Sequence, residues 1–421
     1  MSKVLCFVDS IHYHPEGEAA SVSLLSTELN GNEIVRVITL SSEQLVLRGL
    51  RWHLKEGWYV YYDNEELEYP FTYGNRSRFA QEQFDLYYES LSGLAKRFLV
   101  PGNSPKDEQV KQLAKSKTTN VRSFHVNVGH GCCSFILMQD NGLYLLWAID
   151  CSILDTSNRK SYSSNLISCL DKIASDVGLS SRNGLHIDRF FLTHPHFDHF
   201  NGMEYLINNG HIDSNTICYV NWEYQMASPT FNRIMRTLNG LGVWSVEPLV
   251  QNSISGISFL HPECHIYRHP KTVVAPKTPN RMEGEANNAS AAIHFKLGNR
   301  NMLFPGDLEK KGFGKLVCRG QMCGMDYYAI SHHGSLNGHP DVSLSCHSHG
   351  KTCLSCLRTG VSKVLLMGRD GAYQGIYDHS TVIGFFSSIP NCLVYTEKDS
   401  LGKSIKFVEL NWGNGKVRYF H

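Results

Sequence analysis

The segment FLTHPHFDHFNG, residues 191–202, limits the folds open to this chain more than any other feature. It places three imidazoles and a carboxylate within six positions, directly after the apolar run IDRFFLT. One tetrahedral ion cannot easily take four ligands from so short a loop, so two ions sharing the loop fit better. We expect His194 and His196 to hold a first ion, and Asp198 and His199 a second. A polar surface turn with chance histidines is the alternative.

Three later apolar, strand-like runs also end in residues that bind metals. Asp150 ends LYLLWAID, Asp307 ends NMLFPGD, and His332 and His333 follow DYYAIS. A carboxylate at a strand end can bridge two ions, and a late histidine can complete the second. Each signal is weak alone, because Gly-Asp is commonly a turn and histidine pairs often lie on surfaces. Together they predict one dinuclear site.

The sequence pattern of the chain changes near residue 120. Residues 1–75 contain β-type runs such as VLCFV and SVSLL, and residues 78–98 repeat apolar side chains at helical spacing. We therefore divide the chain into a β-rich N-terminal domain with one helix and a linker, residues 1–120, and a larger domain, residues 121–421.

Strand-like and helix-like segments alternate in the larger domain. This alternation predicts an α/β fold with two packed sheets covered by helices. Apolar residues from Leu166 to Val177 recur at helical spacing, and Gly178 follows as a C-terminal cap.

Composition and charge narrow the class of protein. The 421 residues are 42% hydrophobic and 19% charged, which is typical of a soluble globular protein. A formal net charge of +1 gives no broad attraction for nucleic acid or anionic membranes. The first residues lack a signal-peptide pattern, and no apolar run reaches the ~18 residues of a membrane span. We expect a cytoplasmic protein without membrane contact, whose 13 cysteines are reduced.

HPHFDH resembles the H-x-H-x-D-H signature of the metallo-β-lactamase fold. Further segments are similar, in order, to the soluble hydrolase domain of the ComEC competence proteins: VGHGCCSFIL, WAID, THPHFDH, FLHP, NNASAAIHFKLGNRNMLFPGD, AISHHGS and VYTEKDSLGKSIKF. The resemblance covers about residues 122–410 and does not reach the N-terminal region. It implies a four-layer αββα metallo-β-lactamase sandwich, preceded by the smaller β-rich domain.

The resemblance also implies roles for the matched residues. Asp307 would bridge the two ions, and His333, or else His332, would complete the second. Asp150 would orient a ligand histidine. Asp198 would accept a proton from the attacking water, and a late histidine such as His333 would protonate the leaving group.

The chain departs from the family at two places. The family often reads V-G-Q-G-D where this chain reads VGHGC, so His130 and Cys132 replace an amide and a carboxylate. The third histidine of the first ion is not evident. His261, in GISFLHP, is our candidate, and His294 is a second. Asn287 and Asn288 would shape the rim of the pocket.

The implied activity is hydrolysis by two divalent ions that supply hydroxide near neutral pH. We expect zinc, with manganese as the alternative, and a phosphodiester substrate in a nucleic acid or a nucleotide. Another small ester, amide or thioester is an alternative substrate, and a non-catalytic metal-binding interaction protein is an alternative class. Basic residues such as Lys296, Arg300 and Lys310 would form a rim beside the site, although they also fit a solvated surface.

A second group of metal-binding residues lies in SCHSHGKTCLSCL. Cys346, Cys353 and Cys356 include a C-x-x-C pair with zinc-ligand spacing, so a structural zinc would brace the loop after His333. Reduced cysteines in a loop are the alternative. Residues 1–120 would serve substrate docking or a protein partner, and the sequence leaves the oligomeric state open.

Overall fold

The computed structural model describes residues 4–13, 19–26, 37–41, 56, 59–62, 71–73, 109, 112–113, 116, 119–155, 158, 160–220, 229–246, 257–258, 264–268, 286–287, 290–297, 300–310, 313, 324–335, 338, 357–358, 360–369 and 379–421.

The described elements are numbered here in chain order. The strands are β1 Val4–Tyr13, β2 Ala19–Ser26, β3 Val37–Ser41, β4 Tyr59–Tyr62, β5 Phe71–Tyr73, β6 Asn120–Val126, β7 Cys133–Asp140, β8 Leu143–Cys151, β9 Leu154–Asp155, β10 Lys160–Ser161, β11 Arg189–Phe191, β12 Ile217–Tyr219, β13 Trp244–Val246, β14 Ile257–Ser258, β15 Cys264–Arg268, β16 Ala291–Leu297, β17 Arg300–Phe304, β18 Tyr327–Ala329, β19 Lys363–Leu366, β20 Leu393–Tyr395, β21 Phe407–Asn411 and β22 Val417–Phe420. The helices are α1 Ser163–Asp176, α2 Phe197–Phe200, α3 Met203–Asn208, α4 Pro229–Leu241 and α5 His379–Ser387, with 3₁₀ turns at Arg182–Gly184 and Ser331–Gly334.

Two large mixed sheets form the centre of the molecule. One has the order β13-β12-β11-β8-β7-β6-β21-β22 and the other β14-β15-β16-β17-β18-β19-β20. Their facing sides share one apolar core, in which the Trp147 and Phe295 rings lie 5.7 Å apart. Burying a large apolar side chain of this kind stabilises the fold by about 1.5–3 kcal/mol. The predicted packing of two sheets is therefore confirmed.

Helices cover the outer faces of both sheets. Leu166, Leu170 and Ile173 of α1 are buried against the outer face of the first sheet. Phe386 of α5 packs on Tyr328 of the second sheet, with ring centroids 5.9 Å apart. The predicted four-layer αββα sandwich is thus confirmed. Gly178, just past α1, has a φ of +79°, which suits the left-handed conformation of a C-terminal cap.

The N-terminal residues form a separate antiparallel sheet with the order β3-β2-β1-β4-β5. Phe7 and Leu25 of this sheet are buried in the same apolar cluster as the first large sheet and its helices. The predicted β-rich character of residues 1–75 is therefore confirmed for the described strands. The predicted helix at 78–98 lies outside the described residues, and the domain boundary near residue 120 stays a prediction.

Among the described residues, no helix combines the length and the apolar character needed to cross a bilayer.

Candidate metal centre

The site lies where parallel strands of the two sheets end. In the first sheet, β8 and β11 run parallel, so Asp150 and the loop after Phe191 reach the same edge. In the second sheet, β17 and β18 are parallel, which brings Asp307 and the His332–His333 turn to one edge as well. The Ala291 amide donates to the Thr193 carbonyl over 2.9 Å and joins the two edges. Strand ends of this kind are common binding sites in α/β sheets.

The metal-binding side chains at this edge form one cluster with two parts. The first part is the first-ion pair, His194 and His196. The Nε2 atom of His194 lies 3.1 Å from Nδ1 of His196, and both side chains are buried. Two imidazole nitrogens this close can bind one ion between them. The Nδ1 atom of His194 faces Thr193 Oγ1 at 3.2 Å, which leaves its Nε2 for a metal.

The other part is the second-ion group, Asp198, His199, Asp307 and His333. His199 Nε2 lies 3.3 Å from Asp307 Oδ2 and 3.9 Å from Asp198 Oδ2. His333 Nε2 lies 3.4 Å and 3.3 Å from the same two oxygens. Asp307 Oδ2 is also 3.8 Å from His194 Nε2, so this carboxylate stands between the two parts of the cluster.

Both histidines of the second-ion group are held in one tautomer by the sandwich itself. His199 donates from Nδ1 to Asp150 Oδ2 over 2.8 Å, and His333 donates from Nδ1 to the Met367 carbonyl over 2.6 Å. In its neutral form, each imidazole therefore presents an unprotonated Nε2 to a metal. Asp150 also accepts hydrogen bonds from Thr193 N and Oγ1, both at 2.8 Å, which fixes the start of the histidine loop.

The backbone is strained at three residues of the site. Five non-glycine residues in the described ranges have positive φ, and Asp150, His332 and His333 are three of them, with φ of 51°, 47° and 51°. Such conformations cost about 1–3 kcal/mol each and persist where the surroundings impose them. The strain therefore concentrates where side chains must be aimed into the cluster.

The charges in the cluster depend strongly on one another. Burial favours the neutral acids, but the imidazoles of His199 and His333 hold the pKa of Asp198 and Asp307 well below the usual range. Burial likewise disfavours the imidazolium ions, but the Asp307 carboxylate raises the pKa of His199 and His333 well above the usual value. In the metal-free cluster the two carboxylates and the two imidazolium ions therefore balance one another, and a bound divalent ion would replace the Nε2 protons.

The donor atoms themselves show whether metal ions fit here. His199 Nε2 and Asp307 Oδ1 are buried and make no hydrogen bond within the described part of the chain. Buried polar atoms left in this state cost about 1–3 kcal/mol each, and metal ligation would satisfy both. Neutral imidazoles and ionised carboxylates are also the ligands that zinc takes. The residues present therefore fit a divalent metal centre.

His332 is placed differently from His333. Its Nε2 accepts a hydrogen bond from the Asn287 side-chain amide over 3.2 Å, and its Nδ1 lies 3.6 Å from Glu309 Oε1. Burial lowers the pKa of His332 to about 4, so the imidazole is neutral near pH 7. Because Asn287 engages its Nε2, the contacts favour His333 over His332 as a metal ligand.

The VGHGC loop also reaches the cluster. Cys132 Sγ belongs with His199, Asp307 and His333 to a group whose ligand atoms all lie within 4.8 Å of one another. His130 joins Asp198 and His333 in a second such group. Gly131 permits this approach, since a Cβ there would lie 2.7 Å from the Asp198 carbonyl oxygen.

Other predicted residues are either outside the described residues or bonded away from the cluster. His261 and the cysteines Cys346, Cys353 and Cys356 are outside the described residues. His294 contacts Asn301 at 3.2 Å on neighbouring strands. Arg300 begins β17, at the opposite end of that strand from Asp307, and bonds to Asp326 over 2.7 Å. Arg300 therefore does not belong to a basic rim beside the site.

Two carboxylates near the cluster were not among the site residues predicted from the sequence. Asp9 of β1 accepts a hydrogen bond from the Phe197 amide over 3.2 Å, and Glu56 Oε2 lies 3.8 Å from His196 Nε2. Despite burial, the carboxylates of Glu56 and Asp9 raise the pKa of His196 to about 9. Asp9 had a sequence signal, a charged residue inside the apolar run VLCFVDSI, whereas Glu56 had none.

Comparisons with known proteins find low similarity. No family model matches the chain, and no curated protein sequence matches it. The metallo-β-lactamase fold protein YhfI from Bacillus subtilis is 11% identical, with a TM-score of 0.34 over 65% of this chain and 95% of YhfI. A diphosphatase from the PhnP family is 11% identical, with a TM-score of 0.31 over 65% and 94% of the two chains.

The metallo-β-lactamase MIM-1 from Novosphingobium pentaromativorans is 10% identical, with a TM-score of 0.26 over 64% of this chain and 82% of MIM-1. These scores are too low to carry an argument about function. The resemblance to the ComEC hydrolase domain stays a prediction from sequence.

Proposed function

We propose that this protein is a hydrolase that uses two divalent metal ions. The observation that carries the proposal is the convergence of the second-ion group, whose imidazole nitrogens lie 3.3–3.9 Å from the carboxylate oxygens of Asp198 and Asp307. His194 and His196 would hold the first ion, and Asp307 would contact both. Two ions, when bound, lower the pKa of water and stabilise charge that develops on a phosphoryl or carbonyl oxygen.

The chain's own residues supply the remaining chemistry. Asp198 is the least buried member of the second-ion group, with 14% of its side chain exposed, and it faces His333 and, at 4.0 Å, His130. Its carboxylate is therefore the one in the group best placed to accept a proton from an attacking water. The histidines of the group, almost fully buried, aim nitrogens into the cluster and exclude bulk water from it.

Zinc is the metal that the donor set supports best. Imidazole and carboxylate ligands suit zinc and manganese alike. The thiol of Cys132 within the same group favours zinc, which is the softer of the two ions. For the substrate we propose a phosphodiester, in a nucleic acid or a nucleotide. This choice rests on the motif resemblance, since two-metal sites of this kind are well suited to displacement at phosphorus.

The test measures metal content and hydrolysis on the same samples. Wild type and Asp198→Ala/His199→Ala are assayed by plasma mass spectrometry, then with bis(p-nitrophenyl) phosphate, single- and double-stranded DNA, p-nitrophenyl acetate and a thioester. Asp326→Asn is the matched control, because Asp326 is also a hydrogen-bonded carboxylate but lies at the far end of β18.

We expect two ions per wild-type and control chain, with cleavage of the phosphodiesters, and loss of both properties in the double variant. Two ions with cleavage of the acetate or the thioester alone would move the substrate to that class. Two ions with no cleavage of any compound would favour a non-catalytic metal-binding protein, and no bound metal after reconstitution would contradict the proposal.

A further inference from the structure

The N-terminal sheet touches the metal cluster through two buried carboxylates. Asp9 lies on β1 with 2% of its surface exposed, and Glu56 has 10% of its side chain exposed. Both carboxylates point at the HPHFDH loop, although more than 130 residues separate them from it along the chain. A buried carboxylate needs hydrogen-bond donors or a cation, so these contacts decide what each group does.

Glu56 joins three parts of the molecule. Its Oε1 accepts a hydrogen bond from the Ile11 amide of β1 over 3.0 Å, which anchors the side chain to the N-terminal sheet. Its Oε2 accepts from the Ala286 amide over 3.3 Å and lies 3.8 Å from His196 Nε2. Ala286 directly precedes Asn287, whose amide holds His332. Glu56 therefore connects the histidine loop with the far side of the cluster.

The contact between Glu56 and His196 affects metal binding through the tautomer of His196. His196 Nδ1 faces His194 Nε2 at 3.1 Å, so the pair can share an ion only when His196 carries its proton on Nε2. That nitrogen makes no hydrogen bond within the described ranges. It lies within ion-pair distance of the Glu56 carboxylate, 3.8 Å from Oε2. A carboxylate beyond a ligand histidine fixes its tautomer and raises its basicity as a ligand.

Asp9 acts on the backbone next to the same histidine. Its Oδ2 accepts from the Phe197 amide, the first amide after His196, over 3.2 Å. Phe197 and Phe7 are buried in one apolar cluster, so the contact is shielded from water. Asp9 thus fixes the turn that follows His196, while Glu56 faces the imidazole itself.

We propose that Glu56 and Asp9 are positioning residues of the metal centre, and that docking of the N-terminal sheet is thermodynamically linked to binding of the first ion. The inference rests on the proposed function, because it needs an ion between His194 and His196. It assigns to the N-terminal sheet a part in metal binding.

The test measures the affinity of each ion in the full-length chain. Zinc is removed with a chelator and added back in competition with a chromophoric chelator, for wild type, Glu56→Gln, Asp9→Asn and the control Asp326→Asn. We expect two zinc ions in wild type and control. Glu56→Gln should weaken one ion by about 10- to 100-fold and leave the other unchanged. Asp9→Asn should weaken the same ion by less, because its hydrogen bond is to the Phe197 amide and not to the imidazole.

Amide hydrogen exchange supplies a second readout, which does not need the variants to fold equally well. In wild type, zinc should slow exchange at the Ile11 and Phe197 amides, because both amides donate to the two carboxylates. In the control variant the protection should be the same.

The outcomes separate the two proposals. Wild type that binds no zinc would contradict the proposed function. Wild type that binds two ions, with Glu56→Gln binding both at wild-type affinity, would overturn the inference alone. An equal loss of both ions in Glu56→Gln, or zinc that leaves exchange at Ile11 and Phe197 unchanged in wild type, would also overturn it.

Discussion

The two parts of the metal cluster are held in place by different means. His199 and His333, in the second-ion group, hydrogen-bond to Asp150 and to the Met367 carbonyl of the sandwich at 2.8 Å and 2.6 Å. His196, in the first-ion pair, faces Glu56 of the N-terminal region at 3.8 Å. The sandwich therefore holds both histidines of the second-ion group, whereas in the first-ion pair it holds His194, through Thr193, and His196 instead faces a carboxylate from a distant part of the chain. Such pre-organisation by outer partners tunes metal affinity.

This difference predicts that the two ions have unequal affinities. The second ion should bind more tightly, because less reorganisation is needed when the imidazoles are already fixed.

Removal of a ligand from the second-ion group should have the largest effect. His199→Ala removes the nitrogen that faces both Asp198 and Asp307. Loss of an outer partner of a ligand lowers metal affinity or activity about 10- to 100-fold. We expect His199→Ala to lower both the affinity for the second ion and the rate of hydrolysis by more than that. Metal titration and kcat/KM measurements check this. A variant that keeps two ions at wild-type affinity would place the second ion elsewhere.

Removal of the partner behind His199 should have a smaller effect. Asp150→Asn replaces the acceptor of three hydrogen bonds, from His199 and from Thr193 twice, with a side chain that cannot accept them all. We expect the second ion to bind about 10- to 100-fold more weakly. The loss should exceed that in Glu56→Gln, because a direct hydrogen bond is removed. Equal losses in the two variants would break the contrast between the two parts of the cluster.

A histidine outside the cluster shows what burial does without carboxylates. His125 of β6 lies between Ser123 and Ser134, with each hydroxyl 2.9 Å from a ring nitrogen. Burial lowers its pKa from the usual 6.5 to about 3. Between these values the unfolded chain binds a proton that the folded chain does not, so this contribution makes stability fall as the pH drops below 6.5.

Replacement of His125 should remove this pH dependence. Relative to wild type, His125→Gln should gain stability by about 1.4 kcal/mol for each pH unit below 6.5, down to about pH 3, and show no such trend above 6.5. Urea unfolding at pH 7, 6 and 5 in the presence of a chelator measures the difference without a contribution from metal release. A constant difference across these pH values would contradict the prediction.

An exposed ion pair on the helical layer should have the smallest effect. Arg233 of α4 bonds to Glu204 of α3 at 2.9 Å, with 34% and 37% of the side chains exposed. Arg233→Ala should lower the free energy of unfolding by at most about 1 kcal/mol, because solvent screens such pairs. Zinc affinity should stay at the wild-type value. A fall in zinc affinity would show that the helical layer, and not only the two sheets, pre-organises the cluster.

The two-sheet sandwich could be predicted well from the sequence, because strands and helices leave local patterns of apolar and polar residues. Apolar runs that end in Asp150, Asp307 and the histidine motif predicted strands that carry site residues at their ends, and parallel pairing then brings those ends together. The helix α1 was predicted from its apolar spacing, and Gly178 after it adopts positive φ because a glycine carries no Cβ.

The contacts behind the ligands could not be predicted in the same way. The Met367 carbonyl that holds His333 is a backbone atom, so it leaves no mark on residue type. Glu56 reaches His196 through the packing of one sheet on another, which no local pattern records. Asp9 was the exception, since a carboxylate within the apolar strand β1 indicates a buried partner.

The most direct test of a two-metal centre is anomalous X-ray diffraction at the zinc edge from crystals of the zinc-loaded protein. We expect two peaks roughly 3.5–4 Å apart. One should lie between His194 Nε2 and His196 Nδ1, and the other among His199, His333 and Asp198, with Asp307 contacting both. Zinc peaks elsewhere in the molecule, with none between these side chains, would contradict the account.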